Sequence, residues 1–251
     1  MQHIFEWLLL LSSCILVNSQ CNLNDPYGKL LLELHNRIRQ GIARGKAMID
    51  GETIAFGGNG TRNLFAMSYD CVLVGLAYAV IADCRINKEI KMALDLAVNA
   101  AMIRTGTTKA HVRQAYVYAF EDWLGTASLP LRDAMYTDEA IEPFANMIYH
   151  KSLRMGCAHQ ICGRSNNKLA IACAYSKKPQ LAEPLYNTQS RPKWGCTKRT
   201  CKAVVSDSIC NSNTGLCATD AKSIDGNFNN TTHPKQQHER FKMMQDTKNY
   251  A

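Results

Sequence analysis

A mixed α and β fold stapled by disulfides is what this sequence predicts, and three observations carry the prediction. Arg154 to Ser176 packs three cysteines and two short strand-like runs around a polar turn, the pattern of a β-hairpin. Pro26 to Ile42 carries Tyr27, Leu31, Leu34, Ile38 and Ile42 at steps of four, three, four and four, a one-faced helical stripe. The chain also holds 11 cysteines, and without Cys14 their number is even, as an oxidising compartment favours.

Cys14 leaves the count because Ile4 to Val17 is an apolar run of signal-peptide length ending in Val17-Asn18-Ser19, with small residues where a peptidase cleaves. Residues 1–19 are therefore expected to be a signal peptide. The segment before the run lacks Lys and Arg and carries Glu6. The run is too short to span a bilayer, so no membrane anchor is expected and the chain reads as secreted and extracellular. About 230 residues then remain, enough for one domain with a sizeable core and an appendage. Pairing Cys21, Cys71, Cys84, Cys157, Cys162, Cys173, Cys196, Cys201, Cys210 and Cys217 gives five disulfides, with a connectivity that spacing leaves open.

The formal charge is +8 and rises by one when Glu6 leaves with the leader. A basic surface favours acidic partners such as glycans or cell surfaces. The cations are scattered rather than run together, so no nucleic-acid partner is expected. Sequons at Asn59, Asn229 and Asn230 predict glycosylated, exposed loops.

In the first helix, Pro26 suits the first turn and Gly45 closes it; His35 and Asn36 lie beside the stripe, and Arg37 and Arg39 point elsewhere. Residues 46–63, with four glycines, read as loop. From Asn63 to Cys84 the second half is helical, with Leu73, Leu76, Ala77, Val80 and Cys84 on one side. Val72, Val74 and Tyr78 continue the apolar character around the other side, so that face is either covered or sticky. The period of Lys88 to Ile103 is ambiguous. Thr107 and Thr108 offer caps for a helix with Val112, Tyr116, Ala119 and Trp123 on one face and Gly125 at its end. Asp133 to Asp138 reads as loop, and Glu139 to Tyr149 as a short helical piece leading into the hairpin.

Beyond Tyr175, three prolines punctuate an extended linker. Cys196, Cys201, Cys210 and Cys217 follow at spacings unlike paired zinc ligands and with no interleaved His, which favours two disulfides. The segment from 218 to 251 is polar, nearly devoid of aliphatic residues, and reads as disordered.

None of His35, His111, His150, His159, His233 and His238 falls in a metal-ligand spacing, and each reads as a surface or hydrogen-bonded histidine. The sequence contains no nucleophile elbow, phosphate loop or dinucleotide fingerprint. Paired cysteines leave no thiol nucleophile. No cofactor and no catalytic residue is assigned.

Four stretches together resemble the CAP superfamily of cysteine-rich secretory, antigen 5 and pathogenesis-related proteins (SCP/TAPS), most of all its nematode activation-associated secreted or venom-allergen-like branch. They are Leu34-His35-Asn36-Arg37-Ile38-Arg39, Met67-Ser68-Tyr69-Asp70-Cys71, Phe144-Ala145-Asn146-Met147-Ile148-Tyr149, and the pair Gly156 to Cys162 with Ala172 to Ser176. The resemblance implies an α+β fold, an α-β-α sandwich with a central mainly antiparallel sheet. It implies a CAP domain over 20–176, then a linker and small cysteine-rich C-terminal module over 177–217.

Family members with an intact cavity hold zinc through two histidines and two glutamates. At the matching positions this chain has Pro143, Val98 and Thr126, and Arg85-Ile86-Asn87-Lys88 lacks the remaining histidine. These side chains cannot replace imidazole and carboxylate, so the cavity is expected to be metal-free. The resemblance then implies a non-enzymatic binding or immunomodulatory effector, a glycoprotein acting on an extracellular or host cell-surface protein. A carrier of sterol or fatty acid is the alternative, with Val72, Val74 and Val98 lining or sealing a groove, and Val72, Val74 and Tyr78 are the candidate apolar surface.

Overall fold

The computed structural model describes residues 25–49, 52–55, 60–93, 97–104, 106, 108–127, 134–163, 167–188 and 195–219. The expected signal peptide, Cys21, the three sequon asparagines, His233, His238 and the polar tail from 220 onward lie outside them. Contacts divide the chain into two compact units that alternate along the sequence. The first takes residues up to Leu34, Tyr69–Gly125 and Lys151–Pro179; the second takes His35–Ser68, Thr126–His150 and the chain from Gln180.

The expected first helix, α1, runs Pro26–Ala43 and buries Leu31, Leu34, Ile38 and Ile42. Asp25 caps it: its carboxylate accepts from the backbone N–H of Tyr27 at 3.2 Å and Gly28 at 2.8 Å, filling donors that a first turn leaves open. Gly45 follows at φ 75°, the left-handed geometry that glycine tolerates after a helix.

The first unit is built on a sheet with strand order β3-β6-β7-β4. Here β3 is Ser68–Tyr69, β4 Ala97–Arg104, β6 Arg154–Cys162 and β7 Lys168–Tyr175. The predicted hairpin is β6 and β7, antiparallel with Cys157 opposite Cys173, and β4 pairs antiparallel to β7 along its whole length. Alternation gives the sheet two different faces. Val98, Ala158, Ala170, Ala172 and Ala174 pack with Leu73, Val74, Ala77, Val80 and Ile81 of α2, Cys71–Ile81. The small alanines let the helix lie close. The other face meets α4, Lys109–Leu124, through Tyr116 and His159.

Gly156 marks the closest approach on the α2 side. A Cβ built there would stand 2.5 Å from the Asp70 carbonyl oxygen and 2.7 Å from the Leu73 carbonyl carbon, and nearer still to the Val74 nitrogen. Asp70 caps this end of α2, accepting from Val72 N–H at 2.8 Å and Leu73 N–H at 3.3 Å. It also donates its own N–H to Met155 at 2.8 Å and receives Arg154 Nη1 at 2.7 Å.

The stretch of ambiguous period resolves into a six-residue helix, α3, Lys88–Ala93, followed closely by β4, so two periods meet within one apolar run. Residues 46–55, read as loop, form a hairpin of β1, Lys46–Ile49, and β2, Glu52–Ala55. Ile49 pairs with Glu52 across the dipeptide Asp50-Gly51, a sequence that favours two-residue hairpin turns.

In the second unit, β5, Met135–Tyr136, pairs with β8, Glu183–Pro184, so two segments read as loop and linker form a short ladder. Pro184 has no N–H to extend it. Glu142–Ile148 is α5. The cysteine-rich segment forms α6, Lys198–Lys202, then antiparallel β9, Ile209–Asn211, and β10, Leu216–Ala218. Cys217 binds residues 64 to 66 through Cys217 N–H to Leu64 at 2.9 Å and Ala66 N–H to Cys217 at 2.8 Å.

Four disulfides join Cys84 to Cys162, Cys157 to Cys173, Cys196 to Cys210 and Cys201 to Cys217. Cys71 is disulfide-bonded as well. Among the described residues, no helix is long and apolar enough to cross a membrane.

Candidate functional site

The motif on α1 supplies a scaffold for backbone. Asn36 donates Nδ2 to the Met67 carbonyl at 3.0 Å and accepts Met67 N–H on Oδ1 at 2.8 Å, so its amide stands in for a strand partner. Arg39, expected to point away from the core, is 0% exposed. Its Nε donates to the Phe65 carbonyl at 2.7 Å and its Nη1 to Met147 and Tyr149 carbonyls at 3.2 and 3.0 Å. A guanidinium can serve several diverging carbonyls at once, which explains a buried cation on a helix read as amphipathic. His35 is also fully buried.

The positions matched to zinc ligands carry no ligand chemistry. Val98 is buried in the α2-facing core, Pro143 opens α5, and Thr126 Oγ1 accepts Phe144 N–H at 3.3 Å. Arg85 and Lys88 are exposed, while Asn87 Oδ1 accepts from Ile90 N–H at 3.1 Å and so caps α3. Valine, proline and threonine do not fit zinc. Among the described residues, the one group of three His, Cys, Asp or Glu close enough to share an ion is Cys196, Cys201 and Cys210, and all three sulfurs are in disulfides.

The other histidines are set by hydrogen bonds. His150 Nδ1 lies 3.1 Å from the Leu185 carbonyl, and His111 is exposed on α4. His159 belongs to a cluster with Tyr116 and Tyr27 in the first unit. Its Nδ1 hydrogen-bonds Tyr116 Oη, Tyr27 stacks on Tyr116 with centroids 5.0 Å apart and rings 5° from parallel, and His159 stands edge-on to both. Nearby, Tyr69 Oη donates to the Cys157 carbonyl at 2.9 Å.

Burial pulls the His159 imidazole below its ordinary pKa, against the opposing charge of Asp25. Burial, then Asp25, holds the Tyr116 phenol well above its own. Burial pushes Tyr69 up to about 12 against the backbone bond of Cys157. A protonated phenol facing a neutral imidazole is a matched donor and acceptor, a structural bond that fixes α4 on the sheet. Sequence reasoning placed Tyr27 and Tyr116 on core stripes but had no signal for their meeting with His159, which depends on strand register.

The candidate apolar surface separates. Val72 is 66% exposed, Val74 is 2% exposed in the core, and Tyr78 is half-buried against that core. Val74 faces the sheet because Asp70 and Gly156 draw the first turn of α2 onto β6, so its side chain packs inward.

This arrangement, a helix-covered antiparallel sheet with cross-braced disulfides and a cysteine-rich segment, is the CAP fold. No family model matches the chain. Proteins similar to it are nematode secreted proteins of the ASP and VAL type. The Ancylostoma secreted protein of Ancylostoma caninum is 22% identical over 198 residues, covering 73% of this chain and 42% of that protein. The solved structure of Na-ASP-1 superposes with a TM-score of 0.61 at 24% identity, covering 79% of this chain and 47% of that one. BmVAL-1 has the same TM-score, 0.61, at 18% identity, covering 79% and 97%. The chain thus spans less than half the length of the curated relative it matches.

Proposed function

We propose that this chain is a secreted, non-enzymatic CAP-fold effector that binds an extracellular or host cell-surface protein through its exterior. The observation that carries the reading is how the motif positions are used. Asn36 and Arg39 are committed to backbone carbonyls and amides, and Val98, Thr126 and Pro143 offer a metal neither imidazole nor carboxylate. A scaffold kept in place without ligand chemistry leaves its surface to act. The reading includes removal of residues 1–19 and glycans on Asn59, Asn229 and Asn230.

The lipid-carrier reading has less support. Of the three valines expected to line or seal a groove, Val74 and Val98 pack against alanines in the core and Val72 is 66% exposed. The experiment is a binding assay of the glycosylated mature protein on leukocyte and platelet surfaces and on plasma components. Saturable binding to one protein is the expected outcome; no saturable binding to any of them refutes the reading.

A further inference from the structure

We propose that the end of the sheet braced by the Cys84–Cys162 disulfide is a docking surface for an anionic lipid bilayer. The chain there leaves α2 through Asp83 and Cys84, at φ 60° and 58°, a left-handed conformation that side chains other than glycine rarely adopt. Such outliers persist where their surroundings over-determine them. Here the disulfide to β6 holds one side, and the bond from Asn87 N–H to the Val80 carbonyl at 2.7 Å holds the other. The constrained turn presents Arg85 and Ile86 to solvent, Ile86 being 38% exposed.

The helix that follows divides its residues by the same logic. Ile90 packs on the core, while Lys88 is exposed and Met92 is 70% exposed. Across the sheet, Cys162 is opposite Lys168 and Lys168 is opposite Arg104. Cross-strand partners share a face, so both cations stand on the face that carries the disulfide, and both are exposed. Met102, two residues back along β4, shares that face and is 36% exposed.

The turn through Cys84, the helix that follows it and the strand ends opposite Cys162 thus expose three apolar side chains, Ile86, Met92 and Met102, and four cations, Arg85, Lys88, Arg104 and Lys168, against the acidic Asp83 and Glu89. Charge complementarity selects an anionic partner. The apolar members select a bilayer over a sulfated glycan or an acidic protein surface, because lysine and arginine meet lipid headgroups while Ile and Met enter the acyl boundary. This surface is independent of the protein partner proposed above and would set where the secreted chain concentrates.

The test is co-sedimentation of the mature, disulfide-intact chain with vesicles of phosphatidylcholine alone or with phosphatidylserine as roughly a third of the lipid. Binding to the anionic vesicles only, weakened by salt, is expected. Reversing Lys88→Glu with Lys168→Glu should lower the partition coefficient more than about 25-fold, at about fivefold for each lysine. Met92→Asp should lower it several-fold, whereas Lys198→Glu with Arg199→Glu on α6 should leave it within about twofold. Thermal unfolding at the wild-type temperature identifies variants that remain folded. Equal binding to neutral vesicles, equal loss in the α6 variant, retention by Met92→Asp, or binding to sulfated beads in place of vesicles overturns the proposal.

Discussion

Replacing Gly156 with alanine should be among the most damaging single-methyl additions in the first unit. The new Cβ would meet backbone on the α2 side, 2.5 Å from the Asp70 carbonyl oxygen and 2.7 Å from the Leu73 carbonyl carbon. Both are roughly an ångström inside the ordinary 3.5–4.0 Å contact. Since the obstacles are backbone, no rotamer change relieves them, and either β6 or the first turn of α2 must move. That turn is fixed by the Asp70 caps and by Asp70 N–H on Met155. Overpacking in a filled core costs about 1–3 kcal/mol, and loss of a helix cap about 1 kcal/mol more. A total near 3 kcal/mol corresponds to a fall of roughly 6–12 °C in melting temperature for a chain of this size. Calorimetry of the oxidised protein measures it. A fall under about 2 °C, well below the estimate, would mean that α2 slides freely on the sheet and would refute the reasoning.

Arg39→Met leaves carbonyls of Phe65, Met147 and Tyr149 without their present donor, at about 1–3 kcal/mol for each buried group left unpaired. The expected result in denaturant titration is a loss of at least about 3 kcal/mol, with Arg39→Lys failing to restore it because an ammonium lacks the planar fork. For His159, the folded-state pKa lies below the unfolded value, so the unfolded chain binds the extra proton first. Its neutral form therefore supports folding fully above about pH 6.5, and that support is lost as pH falls below this value. Melting temperatures recorded from neutral to mildly acidic pH should decline more in the wild type than in His159→Gln, and parallel curves would contradict the assignment.

Periodic signals survived the passage from sequence to structure better than compositional ones. The α1 stripe and the β6–β7 hairpin were legible because one buried face imposes a repeat on the residues. The β1–β2 hairpin was hidden by its neighbouring glycines, although Asp50-Gly51 marked it. The α3–β4 junction gave an ambiguous period because a helix of six residues and a strand of eight share one apolar run. Arg39 reads as pointing elsewhere because it lies off the apolar stripe of the helix, and nothing local announces three distant carbonyls. The Tyr116–His159 bond joins residues 43 apart in sequence and depends on register. The resemblance supplied the positions matched to zinc ligands, whereas the placement of Arg104 and Lys168 on the face of the Cys84–Cys162 disulfide follows only from the register of β4, β6 and β7.

The alternation of the two units along the sequence has a consequence for biosynthesis. Arg62 bonds a threonine 138 residues further on, and at translation rates of about 5–20 residues per second that partner appears roughly 7–28 s later. Cys84 likewise waits for Cys162, 78 residues downstream, while Cys71 is already at hand. Any bond that Cys84 makes with an earlier cysteine forms before its native mate exists and has to be undone by thiol exchange, so yield should follow the supply of a disulfide isomerase more than the speed of synthesis.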